Sequence, residues 1–531
     1  MMLRRAFVVV AAVALIAASC DGAEEGPAPG AGDTTSLPPI TTTLQPTTTA
    51  LRLFAEIEWS MPARFGLDGN EDGRIDVPNS AEYAQNLPAG SCATGCPAQA
   101  PTFTVLLSGA GSISEVGPID TYQWEVRSGS QVVAGATSES AEAEVQVAEG
   151  EYLVSLTVSA GSREATATER IAVEDHLLVG IGDSYASGEG NPESNQVDSS
   201  GRVERVVGIW ADDGAGGPVA DGHRLAHRST LAAVPQAGLM LEGLDEQSSV
   251  TVLFTARSGA EIDEGLLGPH PGSESESPPA VPQIEDVAAM LGCAPTTAGP
   301  RCNRTIDALV ISIGGNDVGF NVLIGGLVLA DPDLAFRLAY DIAINEVLGR
   351  AEAGLDQLAD KYAALDQAIR TRLDVKQVYL VGYPSAVGSG DDLCEVAAED
   401  LVPGLEADRE EILEVVDRVI EPLERAMAAA AAVHGWVFVD GHLDDFASHG
   451  YCGTDPYPAT AYPGNPFPSE VMVPDDPSVR WFRRADESAL IQGAPGETFR
   501  PVDLATTGTL HPNEYGHQSI RDELLAVLDF G

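Results

Sequence analysis

LLVGIGDSYASGEG, residues 177–190, joins six apolar or small residues to a polar turn that carries Asp183, Ser184 and Ser187. A short apolar run that ends in turn-forming residues is typical of a buried strand in a parallel sheet. Similar runs recur in TVLFTA (251–256), ALVISIGG (308–315), VYLVGYP (378–384) and WVFVDG (436–441), with helical periodicity at 227–243, 334–371 and 405–433. This alternation predicts an α/β fold with a parallel sheet covered on both faces.

Polar or flexible residues follow three of these strands. Ser184 follows the first strand, Gly259 in SGA follows the second, and Asn316 in GGND follows the third. Because parallel α/β sheets bind ligands beyond the carboxyl ends of their strands, we expect these residues to lie together. A hydroxyl nucleophile and several N–H donors are the groups that acyl transfer needs.

A serine nucleophile needs a base, and His511 is the best placed of nine histidines. It lies in TLHPNEYGH (509–517), in a loop just before the predicted last helix. His517, in the same stretch, is predicted to be a helix cap or a surface residue. Ser184 and His511 therefore form a candidate catalytic pair.

The ordered motifs GDSYASGEG, SGA, GGNDVGF and HPNEYGH resemble blocks I, II, III and V of the SGNH (GDSL) hydrolases, over residues 176–531. The resemblance implies a flavodoxin-like three-layer sandwich with Ser184 as nucleophile and His511 as general base. It also implies an oxyanion hole of the Ser184 and Gly259 N–H groups and the Asn316 side chain. HRS (227–229), GYPS (382–385) and the clustered cysteines resemble the actinobacterial secreted lipase and esterase branch.

One position departs from the family pattern. Block V usually carries an aspartate three residues before the histidine, and here that position is Gly508. The prediction is therefore a Ser184/His511 dyad. A backbone carbonyl near 506–509 would orient His511, with Asp503 as the alternative.

The resemblance implies a carboxylic ester hydrolase, either an esterase or a lipase, that acts through an acyl-enzyme and takes an acyl lipid or an acylated glycan. The chemistry requires no cofactor. The apolar run at 320–334 would suit a fatty acyl chain or form the buried face of a helix. A glycan deacetylase, a phospholipase and an inactive surface binding lipoprotein remain as alternatives.

Residues 100–175 have a different periodicity, with short alternating runs separated by Gly and Ser. Period-two patterns with frequent turns predict a small β-sandwich. The order SGAGS, YQWEV, GEYLVSLTV resembles a PKD-type immunoglobulin-like domain, in which Trp124 would be the core residue.

The connector at 51–99 contains LDGNEDGRIDVPN, residues 67–79. It places Asp68, Asn70, Asp72, the Arg74 carbonyl and Asp76 at the odd positions of an EF-hand-like loop. Position 12 is Asn79 in place of the usual glutamate. A structural Ca²⁺ site and a plain turn are both compatible with this pattern.

The N-terminus predicts export. Residues 1–19 have the basic and apolar regions of a signal peptide, and small residues before Cys20 resemble a lipobox. Residues 20–50, rich in Gly, Pro and Thr, read as a tether. The predicted location is the outer face of the cytoplasmic membrane, held by lipid on Cys20, or the medium if the signal peptide is an ordinary one.

Charge and cysteine content agree with export. The net charge of −51 repels phosphate backbones, which argues against nucleic acid as a partner. The sequence makes no prediction of the oligomeric state. An even number of cysteines beyond Cys20 predicts disulfides in an exported chain. Their clustering favours the pairs Cys92–Cys96, Cys293–Cys302 and Cys394–Cys452.

Overall fold

The structure is a computed structural model that describes most of residues 51–530. The longer stretches outside the description are 1–50, 74–101, 206–221, 272–278, 320–333, 387–412, 461–469 and 489–506. Several features predicted from the sequence therefore lie outside the described residues. They are the signal peptide, Cys20, the tether, Cys92, Cys96, Cys394, Cys452 and most of the apolar run at 320–334.

The first part of the chain is a β-sandwich. One sheet contains β2 (Glu58–Ser60), β3 (Phe103–Ser108) and β7 (Glu142–Val147). The other contains β5 (Thr121–Ser128), β6 (Gln131–Ser138), β8 (Gly150–Ala160) and the first half of β9 (Arg163–Gly182). Trp124 is 2% exposed inside the core between them, which confirms its predicted role.

The second part is an α/β unit with a parallel sheet. Its strands are the second half of β9, β12 (Ser248–Phe254), β15 (Ile306–Ser312), β16 (Val375–Val381) and β17 (Val437–Val439), in the order β12-β9-β15-β16-β17. Every residue of β15 is buried, so both faces of this sheet are covered. This confirms the predicted α/β class.

Helices cover the sheet. They are α1 (Ser184–Ser187), α2 (Ala233–Leu244), α3 (Gln283–Met290), α4 (Leu334–Arg372), α5 (Glu421–His434), α6 (Gly441–Phe446) and α7 (Glu514–Val527). The helix α2 packs on α7, while α4 packs on α3 and α5. A 3-10 turn lies at Asn316–Val318, and a π-helical turn lies at Val416–Ile420.

The structure also contains four small two-stranded sheets among the described residues. They pair β1 (Leu53–Phe54) with β4 (Ile113–Ser114), β10 (Gln196–Val197) with β11 (Val203–Arg205), β13 (Ala294–Thr296) with β14 (Gly299–Arg301), and β18 (Pro456–Thr460) with β19 (Glu470–Pro474). A disulfide joins Cys293 to Cys302 across the β13/β14 hairpin, which confirms that predicted pair. Within the described residues, no helix has the length and apolarity needed to cross a bilayer.

The strand β9 belongs to both parts. Residues 163–173 pair antiparallel with β8 in the sandwich, and residues 174–182 pair parallel with β12 and β15 in the α/β unit. The predicted boundary between residues 175 and 176 thus falls inside one continuous strand. The sandwich is connected to the α/β unit by the strand itself and not by a flexible linker, because β9 stays hydrogen-bonded through the junction.

A buried polar cluster stands where β9 passes between the two parts. The Asp175 carboxylate is inaccessible to solvent and lies 3.0 Å from Arg64 Nε and 2.7 Å from an Arg304 terminal nitrogen. Ser249 Oγ and Thr251 Oγ1 of β12 donate to it at 2.6 and 2.7 Å. Both guanidinium groups also lie over the ring of Phe103, which belongs to the sandwich.

Candidate active site

Ser184 stands at the sheet edge because β9 ends in a turn that only glycine permits. Gly182 has φ +142°, and a Cβ there would lie 2.1 Å from the Ser312 carbonyl oxygen of β15. Asp183 then caps α1, its Oδ1 accepting from the Tyr185 N–H at 3.0 Å. Ser184 is the first residue of that helix, 8% exposed.

Asp183 is held by a network of its own. Burial raises the pKa of the Asp183 carboxyl to about 7, although hydrogen bonds from Tyr383 Oη and the Tyr185 N–H act in the opposite direction. Tyr383 Oη also accepts from the Gly315 N–H, next to Asn316. The side chain therefore orders the turn around Ser184 and does not contact His511 in this network.

Ser184 and His511 form a direct hydrogen bond. The distance from Ser184 Oγ to His511 Nε2 is 2.7 Å. His511 Nδ1 lies 3.0 Å from the Thr509 carbonyl oxygen, which can only accept, so Nδ1 carries the proton and Nε2 accepts from the serine. This tautomer is the one a general base requires.

The loop that carries His511 is fixed to the serine turn. Leu510 adopts φ +60°, an unusual conformation for a bulky residue, and Tyr185 Oη donates to its carbonyl at 2.5 Å. Gly190 allows the close approach, because a Cβ there would lie 2.5 Å from the Pro512 carbonyl oxygen. Arg483 adds a bond from its Nε to the Gly190 carbonyl at 2.8 Å.

Gly259 and Asn316 follow the two strands that flank β9. Gly259 has φ +79° in the turn after β12, a conformation that favours glycine. Asn316 opens the 3-10 turn after β15, and its Nδ2 donates to the Ala260 carbonyl at 3.0 Å, with a second hydrogen on the same nitrogen. The sheet thus presents Ser184, Gly259 and Asn316 at the ends of three adjacent strands.

Asp317, beside Asn316, has a structural environment. Its buried carboxylate lies 2.6 Å from Lys361 Nζ and accepts from the Ile262 N–H. Burial raises the pKa of this carboxyl, although Lys361 acts in the opposite direction. The interaction ties the Asn316 turn to the segment that follows Gly259.

The structure differs from the sequence prediction at His517. The residue is 1% exposed and lies inside α7, and burial lowers the pKa of its imidazole to about 3. The cap of α7 is Asn513, whose Oδ1 accepts from the N–H groups of Tyr515 and Gly516. The prediction of a cap or surface histidine is therefore wrong, because the amphipathic helix turns this position inward.

The predicted calcium loop is described only in part. Asp68 Oδ2 accepts from the Gly73 N–H at 2.7 Å, and Gly73 has φ +79°. Gln236 Nε2 of α2 donates to the Gly73 carbonyl at 2.8 Å, which anchors the loop to the α/β unit. Asp72, Arg74 and Asp76 lie outside the described residues, and the described part of the chain holds no cluster of three or more metal-binding side chains.

A buried glutamate near the site was not singled out from the sequence. Glu189, in the GEG that ends the opening motif, is fully buried and contacts His227 Nδ1 and Thr507 Oγ1. A charged residue between two glycines is typical of an exposed turn, so this burial has no local signature in the sequence. Asp503, the alternative partner for His511, lies outside the described residues.

The sandwich can be compared with a known family. Residues 96–174 match the model of a family of PKD domains. This region is a PKD-like domain. The match confirms the PKD resemblance of the sequence motifs, and the family boundary at 174 lies within β9.

The remaining comparisons are weaker. No curated protein matches the chain. The aryl esterase of M. smegmatis is 11% identical over 50% of this chain and 82% of that structure, with a TM-score of 0.19. A carbohydrate acetylesterase from Xanthomonas citri is 10% identical over 64% of each chain, with a TM-score of 0.22. Both similarities are too low to bear on activity.

Proposed function

We propose that the chain is a serine-dependent carboxylic ester hydrolase of the SGNH type, an esterase or lipase. The observation that carries the proposal is the 2.7 Å hydrogen bond from Ser184 Oγ to His511 Nε2. His511 Nδ1 donates its own hydrogen bond to the Thr509 carbonyl. A nucleophile, a base in the correct tautomer and a group that orients the base are the parts that covalent acyl transfer needs.

The mechanism uses only groups of this chain. His511 Nε2 takes the proton of Ser184 Oγ as the oxygen attacks the ester carbonyl, which gives a tetrahedral intermediate. The N–H groups of Ser184 and Gly259 and the Asn316 amide would donate to its oxyanion. His511 then protonates the leaving alcohol, and a water molecule deprotonated by His511 hydrolyses the acyl-enzyme.

Covalent labelling tests this proposal most directly. A fluorophosphonate should label the full chain at Ser184, and the label should be absent from Ser184→Ala. Hydrolysis of p-nitrophenyl esters from acetate to palmitate would then define the acyl length: a short optimum indicates an esterase, and a long one a lipase. Labelling that persists in Ser184→Ala would rule out this nucleophile, and a lack of turnover on every ester would favour a binding role.

The Asn316 amide is expected to contribute strongly to turnover. Asn316→Ala should lower kcat by about 100- to 1000-fold, the usual cost of one oxyanion donor. KM and the melting temperature should change little, because the loss to the folded protein is the hydrogen bond from Nδ2 to the Ala260 carbonyl. Steady-state kinetics on a p-nitrophenyl ester measure this. A loss confined to KM would show that Asn316 binds the ground state only.

We propose a structural Ca²⁺ in the loop that begins at Asp68. The anchoring of Gly73 by Gln236 supports a folded loop at this place. If Ca²⁺ binds, saturating it at about 100 times Kd would stabilise the fold by about 2.7 kcal/mol. EDTA should therefore lower the melting temperature, and added Ca²⁺ should restore it, whereas Asp68→Asn should respond less. An identical melting temperature with and without EDTA would remove the proposal.

We also propose that the protein acts at the cell surface. The signal-like N-terminus and the cysteine at position 20 support a lipid anchor on the outer face of the cytoplasmic membrane, with residues 20–50 as the tether that follows it. Release from cells by Cys20→Ser, seen as a shift of the protein from the membrane fraction to the medium, would distinguish this anchor from simple secretion.

A further inference from the structure

Glu189 joins the three segments that carry the candidate site. Its carboxylate accepts from Thr507 Oγ1 at 2.5 Å and from His227 Nδ1 at 2.7 Å, and it also accepts from the Ser258 side chain. Thr507 lies in the loop that leads to His511, and Ser258 directly precedes Gly259. Glu189 itself lies five residues after Ser184, at the end of the serine turn.

This carboxylate is ionised in the folded protein. Burial alone disfavours its charge, but the interactions with His227, together with smaller contributions from His511 and Ser258, outweigh burial and lower the pKa of Glu189 to about 2. A buried carboxylate is costly without such partners, so the site is built to hold a negative charge. The charge is therefore present across the pH range in which an esterase works.

The negative charge acts on His511. During acyl transfer His511 becomes an imidazolium, and a nearby carboxylate normally stabilises that charge. Here the family's acid position is Gly508, and the Thr509 carbonyl that binds Nδ1 is neutral. Burial lowers the pKa of His511, and among the charged groups around it Glu189 has the largest opposing effect.

Among the described residues, the other groups near His511 do not replace this charge. His227 lowers the pKa of His511, but by less than Glu189 raises it. The Tyr185 ring is 4.9 Å away, the Arg483 backbone N–H binds the His511 carbonyl, and the buried His517 interacts with His511 from α7. None of these four neighbours carries a negative charge.

We infer that Glu189 is the positioning residue that replaces the acid missing at Gly508: from the serine turn it supplies the negative charge facing His511, and through Thr507 it holds the loop of the base. The inference rests on the proposed hydrolase function. In this arrangement two groups share the usual task of the triad acid. The Thr509 carbonyl orients the ring, and Glu189 stabilises its charged form.

The test removes the charge and keeps the shape. Glu189→Gln should lower kcat by about 10- to 100-fold, or about 1.4 to 2.8 kcal/mol, because it removes a buried unit charge that favours the imidazolium form of His511. The acid limb of the kcat/KM profile should also move to lower pH, by about one unit, because His511 loses the group that favours its protonated form. His227 does not reverse this sign, since its effect on His511 is the smaller one.

Matched variants separate charge from loop anchoring. Thr507→Val removes a hydrogen bond to Glu189 and leaves the charge, so it should lower kcat without moving the acid limb. Glu189→Asp keeps the charge and should also retain the wild-type limb. If Glu189→Gln does not fold, the aspartate variant decides alone: an acid limb displaced by about one unit or more in Glu189→Asp would overturn the inference.

The outcomes distinguish this inference from the proposed function. A wild-type protein that neither hydrolyses esters nor reacts with a fluorophosphonate contradicts the function itself. An active wild type together with a folded Glu189→Gln that keeps its kcat, or that loses kcat with an unmoved acid limb, contradicts only the role of Glu189.

Discussion

Ser184→Ala and His511→Ala should each lower kcat by about a million-fold, and the double variant should be no worse than either. The two residues act as one unit, because the proton that leaves Ser184 Oγ goes to the nitrogen 2.7 Å away. Once one partner is lost, the other has no chemistry left to perform. The residual rate would come from substrate binding and the oxyanion donors.

The measurement is single-turnover and steady-state hydrolysis of the best p-nitrophenyl ester by all three variants. His517→Ala is the matched control, because it removes a second histidine from the neighbouring helix without touching the proton path. His517 is buried, so its variant should lose stability but keep its kcat within about 10-fold below the unfolding temperature. Effects of Ser184→Ala and His511→Ala that multiply in the double variant would show that the two residues do not work together.

The candidate pair of Ser184 and His511 was predictable from the sequence because its signals are local. Ser184 lies just beyond an apolar run, and the candidate donors lie shortly after the neighbouring runs. Parallel strands bring their carboxyl ends to one edge. The carbonyl that orients His511 was predicted only as a range, 506–509, because backbone direction in a loop has no side-chain signature. The structure places the Thr509 carbonyl at 3.0 Å from His511 Nδ1.

Glu189 could not be predicted, for a different physical reason. Its partners His227 and Thr507 are 38 and 318 residues away along the chain. Charge pairing between residues so far apart in the sequence depends on how three loops come together in the fold. The hydrophobic periodicity of the sequence gives no information about that arrangement. The glycines on either side of Glu189 suggested a solvated turn, whereas the serine turn packs tightly here against the loop of His511, and Gly190 makes room for it.

The predicted boundary between the two parts lies inside a strand because β9 changes its neighbours without ending. In β9 the exposed and buried residues alternate up to about residue 175, and from 177 every residue is buried. In the sandwich one face of the strand is solvated, and in the α/β unit helices cover both faces. The change in hydrophobic pattern therefore marks a change of neighbours, not a break in the backbone.

The edge strand β6 has no strong signal in the sequence, because nothing in QVVAGATS requires burial. Val132 and Val133 are both largely exposed, and small or polar residues follow them. Among the described strands it pairs with β5 alone, so backbone hydrogen bonds on one side hold it in place. Hydrophobic patterning detects strands that contribute to a core, and this strand contributes little.

Asp175→Ala should destabilise the folded protein by about 3–5 kcal/mol, because it leaves the buried Arg304 charge with only the more distant Glu149 carboxylate, 3.8 Å away. Arg304 is almost fully buried beside Asp175, while Arg64 is about a quarter exposed and should account for less of the loss. Ser249 and Thr251 would lose the acceptor of their hydroxyl groups as well. Residues of both the sandwich and the α/β unit contribute to the cluster, so the substitution should reduce the stability of both parts.

Urea unfolding, followed by tryptophan fluorescence and by circular dichroism, measures this effect. Glu346→Ala is the matched control, since it removes an exposed helical ion pair with Arg350 and should cost less than about 0.5 kcal/mol. Because β9 runs unbroken through the junction, the sandwich and the α/β unit should unfold in one transition, and Asp175→Ala should lower its midpoint without splitting it. Two separate transitions in the wild type, with only one of them shifted by Asp175→Ala, would contradict the view that the shared strand and its buried carboxylate join the two parts into one cooperative unit.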